Sequence, residues 1–174
     1  MLMIRKFKAL FNHFFLTPEQ YAKRIGVKFG NDCRIATKYF GSEPYLIEIG
    51  DHVQITSGVK FFNHGGGWVF RKEHPNFDTF GKIIIKNNVY IGNDCLILPG
   101  VTIASNIIIA AGSVVTKSFI DEGIIIGGNP AKKIGEIADL KDRLMPFNIK
   151  SKGLNYKEKK ELLLNLPNKF FVKK

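Results

Sequence analysis

From Ile85 the chain places a β-branched apolar residue at every sixth position: Ile85, Ile91, Ile97, Ile103, Ile109 and Val115. The positions four later in each hexad, Val89, Cys95, Val101, Ile107 and Ser113, are small or apolar, and the residues between are mostly Gly, Asn, Asp, Ala and Lys. An amphipathic helix would space its apolar residues three and four apart, and a half-buried strand would alternate with period two. Period six fits neither. It predicts a parallel β-helix, in which short strands wind about one axis and each coil buries its inner face against the next. Ile85 and Ile103, Ile91 and Ile109, and Ile97 and Val115 are each 18 residues apart. That is one three-sided coil, so each pair is expected to stack.

The repeat starts near Val27, with Phe29 and Ile35 six apart and a turn at Gly30-Asn31-Asp32. GSEPYL then interrupts the count, which resumes at Ile49, Ile55 and Phe61, with Val53 and Val59 as the second inward row. Between 62 and 82 the pattern stops, yet 61 and 85 differ by 24, a multiple of six. The chain therefore leaves the coil and rejoins it in register. The intervening loop holds Gly65-Gly66-Gly67, the sole tryptophan Trp68, Arg71, Lys72, Glu73, His74 and Pro75, and loops carried on a rigid scaffold often hold function. Ile124-Ile125-Ile126 reads as a last strand, and Gly127-Gly128-Asn129-Pro130 as the end of the regular coil.

Two short helices are expected before the coil. Leu2, Ile4, Phe7, Leu10, Phe11, Phe14 and Phe15 have amphipathic spacing, and Thr17-Pro18-Glu19-Gln20 has the form of an N-cap, a proline at the first helical position and a capping-box glutamine. These helices are suited either to cap the solenoid end or to lay a basic face on a membrane surface. After Ile134 a helix is expected at Glu158–Leu166, with Pro146, Gly153 and Pro167 breaking up the rest. The expected organisation is a helical cap at 1–26, a β-helix at 27–134 with an extruded loop at 62–82, and a basic C-terminal tail at 135–174.

A length of 174 residues fits one domain, and no apolar run reaches roughly 18 residues or resembles a cleavable signal. Cys33 and Cys95 are the only cysteines. Cys95 occupies an inward position, so a buried structural thiol is expected, which suits a reducing cytoplasm. The net charge of +11 sits on the flanks: residues 1–28 carry six Lys/Arg against one Glu, and 141–174 carry ten against three, while 29–140 hold ten basic and eleven acidic residues. The central fold lacks an aromatic or Arg-rich nucleic-acid readout, so nucleic acid is not an expected partner. The basic flanks suit an anionic membrane surface, phosphorylated ligands or acidic glycans, or are solvated faces.

Beyond the repeat, four stretches carry a likeness: GSEPYLIEIGDHVQITSGVKFFNH at 41–64, NVYIGNDCLILPGVTI at 88–103, AAGSVVTKS at 110–118 and GGNPAKKIGEI at 127–137. With the hexads they resemble the hexapeptide-repeat acyltransferases, most of all the branch that acetylates sugar hydroxyls, including O-acetyltransferases of capsule and lipopolysaccharide clusters. The resemblance implies a left-handed parallel β-helix, a homotrimer, acetyl-CoA as acyl donor without a required metal, and a saccharide acceptor, with the enzyme in the cytoplasm or at the inner face of the membrane.

Such a reaction needs a base, because a sugar hydroxyl is a poor nucleophile at neutral pH, and histidine suits that role. His13 lies in the opening helix and His52 in a coil turn; His64 stands where the loop departs, and His74 lies inside it. By resemblance His64 is the catalytic base. Many relatives have Pro or Asp next, whereas Gly65-Gly66-Gly67 follows here, so no local carboxylate is evident to orient the ring. The resemblance likewise assigns Asn93, Ala111, Thr116, Lys117 and Lys132 to donor contacts, in a cleft between adjacent subunits. Small residues leave room for the pantetheine arm, and the two lysines can meet nucleotide phosphates. Some relatives carry Arg in place of Lys132. Trp68 and His74 are the candidate acceptor contacts, since an aromatic ring stacks on the apolar face of a sugar; covering a neighbouring subunit is the other role open to them.

No covalent step is implied: Cys95 points inward and Cys33 lies outside the motifs, so direct transfer through a ternary complex is expected. N-acetylation of an amino sugar or of a drug fits the same scaffold, as does a non-catalytic β-helix. A β-helix carbonic anhydrase would need three histidine ligands, two of them closely spaced, and the histidines here are 39, 12 and 10 residues apart.

Overall fold

In the computed structural model, which describes residues 15–173, the period-six rows become the edges of a three-sided coil built from parallel strands. One sheet runs β1(Lys28–Phe29), β3(Ile47–Ile49), β6(Ile83–Ile85), β9(Thr102–Ile103). A second stacks β2(Arg34–Ile35), β4(Gln54–Ile55), β7(Val89–Ile91), β10(Ile107–Ile109), β12(Ile124–Gly127) and β13(Lys132–Glu136), and the third stacks β5(Lys60–Phe61), β8(Leu96–Ile97) and β11(Val114–Val115). Ile85 pairs with Ile103, Ile91 with Ile109 and Ile97 with Val115, as the 18-residue spacing requires.

Side-chain direction alternates along each two- or three-residue strand, so only every second residue points inward. Ile55, Ile91, Ile97, Ile103 and Ile109 are fully buried, together with the second row of Val53, Val59, Val89, Val101 and Ile107. Phe40 and Phe61 stack inside the wider early coils with ring centroids 5.5 Å apart. Cys95 is buried, as its register position predicts, and its thiol donates to the Ala110 carbonyl at 3.0 Å.

Corners between strands demand left-handed backbone, which Asn and Asp tolerate better than other side-chain-bearing residues. Asp32, His52, Asn88, Asp94 and Asn106 all have φ between 52° and 58°. Three of them form a ladder up one edge: His52 Nδ1 lies 2.8 Å from Asn88 Oδ1, Asn88 donates to Asn106 at 2.7 Å, and Asn106 donates to Glu122 at 2.8 Å. At the next corner Gly92 meets the Ala111 backbone so closely that a Cβ could not fit.

Coil length is not uniform. Lys28 pairs with Glu48, 20 residues on, because GSEP adds two residues to the first coil. Ile47 pairs with Ile83, 36 residues on, because the excursion between β5 and β6 adds eighteen to the ordinary coil. The excursion returns to its starting point: His64 bridges Phe80, and Gly81 N–H donates to the Asn63 carbonyl at 2.7 Å.

Helix α1(Pro18–Ile25) closes the first coil, burying Ala22 and packing Tyr21 and Ile25 on the core. Its start is the capping box read from sequence: Gln20 N–H donates to Thr17 Oγ1, and Thr17 N–H donates to Gln20 Oε1. The earlier helix expected over the opening residues, with His13, lies outside the described residues. At the other end β12 is the last strand with a buried inner row; the chain turns at Gly127-Gly128-Asn129-Pro130 and adds the largely exposed β13 beside β12, a strand not anticipated from sequence.

Glu136–Lys174 form a separate compact unit. It contains α2(Ile137–Leu144), which sequence reading did not anticipate, and α3(Tyr156–Leu164). Helix α3 starts two residues before the expected Glu158, because Asn155 is the N-cap and Glu158 completes its capping box from N3. No helix among the described residues is long and apolar enough to cross a membrane.

Candidate active site

Strand β5 ends at Phe61, and Phe62-Asn63-His64 carry the chain around the corner where the excursion leaves. His64 is held there by its bridge to Phe80, whose ring meets the imidazole edge-on at 5.7 Å between centroids. Above it, the lengthened first coil brings Glu43 over from 21 residues earlier. The Glu43 side chain is largely buried, at 16% exposure, and its Oε2 lies 2.7 Å from His64 Nδ1; the imidazole keeps 40% of its surface in solvent. A carboxylate only accepts, so Nδ1 carries the hydrogen. In the neutral ring the lone pair is therefore on Nε2, the nitrogen away from the carboxylate.

Two cavities meet at this ring. One, of about 420 Å³, is lined by His64, Gly65, Phe80, Leu98, Gly100 and Thr116 among others. The other, of about 460 Å³, is lined by Gly41, Ser42, Phe62, Asn63 and His64. Gly65 and Gly100 both face open space where a side chain would stand. The result is a cleft with an apolar wall and a hydrogen-bonding imidazole at its mouth.

The residues singled out from sequence are distributed unevenly about this cleft. Thr116, just after β11, shares it with His64 of the same chain. Asn93 and Ala111 lie at one corner of successive coils, where Gly112 N–H donates to the Asn93 carbonyl at 2.8 Å. Lys117 places its Nζ 5.6 Å from the Phe119 ring centroid. The GNPAK turn folds back on β11, with Ala131 N–H donating to the Val114 carbonyl at 2.8 Å, and sets Lys132 at the start of β13. Trp68 and His74 line neither cavity. Trp68 sits in a 3-10 turn, Gly67–Phe70, with 82% of its surface exposed, and His74 is exposed nearby.

Neither Glu43 nor Asn63 stood out in the sequence. The signal for Glu43 was the broken count at GSEP, which marks extra residues without showing which corner they reach. Among the described residues no three His, Cys, Asp or Glu side chains gather as a metal-ligand group. Burial pushes the Cys95 thiol above its ordinary range, so it holds its proton and is no nucleophile at neutral pH.

The family profile described as "Bacterial transferase hexapeptide (six repeats)" matches residues 82–117. The chain is 53% identical over 151 residues to Protein CapG of Staphylococcus aureus, spanning 84% of this chain and 87% of that protein. It is 31% identical over 146 residues to the galactoside O-acetyltransferase of Escherichia coli strain K12, spanning 78% and 71% respectively. A crystallised galactoside acetyltransferase in complex with coenzyme A shares the fold with a TM-score of 0.52 at 25% identity, over 80% of this chain and 82% of that one. The chain thus belongs to the hexapeptide-repeat acyltransferase family, and its coil is the left-handed parallel β-helix. Within that family it falls in the sugar O-acetyltransferase branch, and it is an acetyltransferase.

Proposed function

We propose that this enzyme transfers the acetyl group of acetyl-CoA to a hydroxyl of a saccharide, a cell-surface glycan or its precursor, with His64 as the general base. The observation that carries this reading is the pairing of His64 Nδ1 with Glu43 at 2.7 Å, at the mouth of a cleft shared with Thr116. His64 Nε2 takes the proton from the attacking hydroxyl as its oxygen bonds to the thioester carbon. The carbon–sulfur bond then breaks, and the imidazolium returns the proton to the departing thiolate, giving free coenzyme A and an ester. Glu43 fixes the tautomer and the orientation of the ring. Both cysteines stay outside this scheme.

On the donor side, Thr116, Asn93 and Ala111 line the path of the pantetheine arm, and Lys117 and Lys132 meet the nucleotide phosphates as point charges. The open space at Gly65 and Gly100 supports an extended ligand in this cleft. Trp68 and His74, outside both cavities, contact the part of the acceptor that extends beyond the cleft. The working form is a homotrimer. Outward rows on the sheets support it: Leu96 and Val114 are in register on one face, and Tyr90, Ile108 and Ile125 on another, all incompletely covered in the single chain. Light scattering is expected to give three times the chain mass; a monomer would remove that part of the reading.

The function is tested with labelled acetyl-CoA against a panel of free and nucleotide-linked hexoses. Transfer to a sugar oxygen is expected, and its absence across the panel would sink the proposal. Glu43→Gln is expected to lower kcat roughly tenfold or more, since the amide can present an N–H to the imidazole and select the wrong tautomer. An unchanged kcat would remove Glu43 from the mechanism.

A further inference from the structure

Asn63, beside the base, is 1% exposed, and neither its side-chain oxygen nor its nitrogen has a hydrogen-bond partner among the described residues. Its backbone is fixed, because its carbonyl accepts from Gly81 N–H at the neck of the excursion. Its side chain lies beneath Gly41, whose φ of 69° suits glycine and where any Cβ would collide with Asn63 Oδ1. Gly41, Ser42, Phe62, Asn63 and His64 line one cavity of about 460 Å³. The turn that roofs the amide leads directly into Glu43, the partner of the base. Leaving a buried amide unpaired costs stability, and an apolar side chain of similar shape would avoid that cost. Active sites are where such a cost is offset by binding.

Resting on the saccharide-acceptor reading above, we infer that Asn63 determines acceptor specificity: its carboxamide pairs with a polar substituent of the sugar adjacent to the hydroxyl presented to His64. One acceptor oxygen and two N–H donors match a neighbouring hydroxyl or acetamido group, which itself both donates and accepts. Gly41 carries no side chain because the amide already occupies that space, so the substituent reaches Asn63 from the cavity that Ser42, Phe62 and His64 also line. A sugar lacking the substituent leaves the amide unpaired and is rejected, the strongest kind of discrimination a polar pocket offers.

The test compares full-length wild type with Asn63→Leu and Asn63→Asp, using methyl β-galactoside, N-acetylglucosamine and UDP-N-acetylglucosamine as acceptors and labelled acetyl-CoA as donor. For the best wild-type acceptor, both variants are expected to raise the acceptor KM by about 10- to 100-fold. The KM for acetyl-CoA should stay within about twofold. Without acceptor, Asn63→Leu is expected to melt at or above wild type, which a purely structural role for the amide would not give. An unchanged acceptor KM, or equal rises for donor and acceptor, overturns the inference. So does an Asn63→Leu melting point well below wild type. A wild-type enzyme that acetylates neither these three sugars nor any other hexose of the panel defeats the saccharide reading itself and takes this inference with it, whereas active variants with unaltered KM defeat only the role of Asn63.

Discussion

Replacing His64 by alanine is expected to lower acetyl transfer by about 100- to 10,000-fold, the usual worth of a positioned general base. The loss should fall mainly on kcat. The ring is 40% exposed, so its removal opens no core cavity, and the circular dichroism spectrum and melting temperature should stay close to wild type. His64→Gln is a useful companion, because it keeps a polar side chain at the corner yet supplies no base at neutral pH. Its turnover should be as low as that of the alanine variant. If His64→Ala retained near-normal transfer to a confirmed acceptor, the pairing with Glu43 would be structural and the base would lie elsewhere. His52 is a poor substitute, because its Nδ1 is engaged by Asn88 in the ladder at another corner. His74 lines neither cavity beside His64.

The architecture was readable from residue identity because a coil repeats one local decision. Each hexad supplies an inward β-branched residue and a corner that tolerates left-handed backbone. Three hexads return the chain above its starting point, as the pairing of Ile85 with Ile103 shows. The resemblance pointed to His64, and Thr116 shares its cleft. Glu43 was not legible, for a geometric reason. An inserted pair of residues announces itself as a broken count, but its direction depends on which corner bulges, and that is fixed only once Lys28 pairs with Glu48 and the turn is stacked on the next coil. Asn63 was hidden differently: its type and spacing look like an ordinary turn residue, and only burial without a partner sets it apart. The strand Lys132–Glu136 escaped because glycine and proline end a coil in sequence but do not close the sheet edge that β12 leaves open.

Strand β10 offers a test of the coil with chemistry held constant, since Ile108 and Ile109 are the same residue type and differ in where they point. Ile109 is fully buried, in register with Ile91 on one side and Ile126 on the other. Ile109→Ala is expected to cost about 2–5 kcal/mol, the lost transfer energy plus the cavity that two rigid neighbouring coils cannot collapse to fill. Against a typical total of about 5–15 kcal/mol that is a large share. Ile108 points outward in the same strand and is only partly covered. For an isolated chain Ile108→Ala should cost well under half as much, because little apolar area returns to water. Urea unfolding of the two variants measures the difference directly. Equal losses at low protein concentration would mean that Ile108 is packed as tightly as the core. A loss at Ile108 that grows as the protein is concentrated, with Ile109 unaffected by concentration, would instead mark the outward row as covered by another copy of the chain.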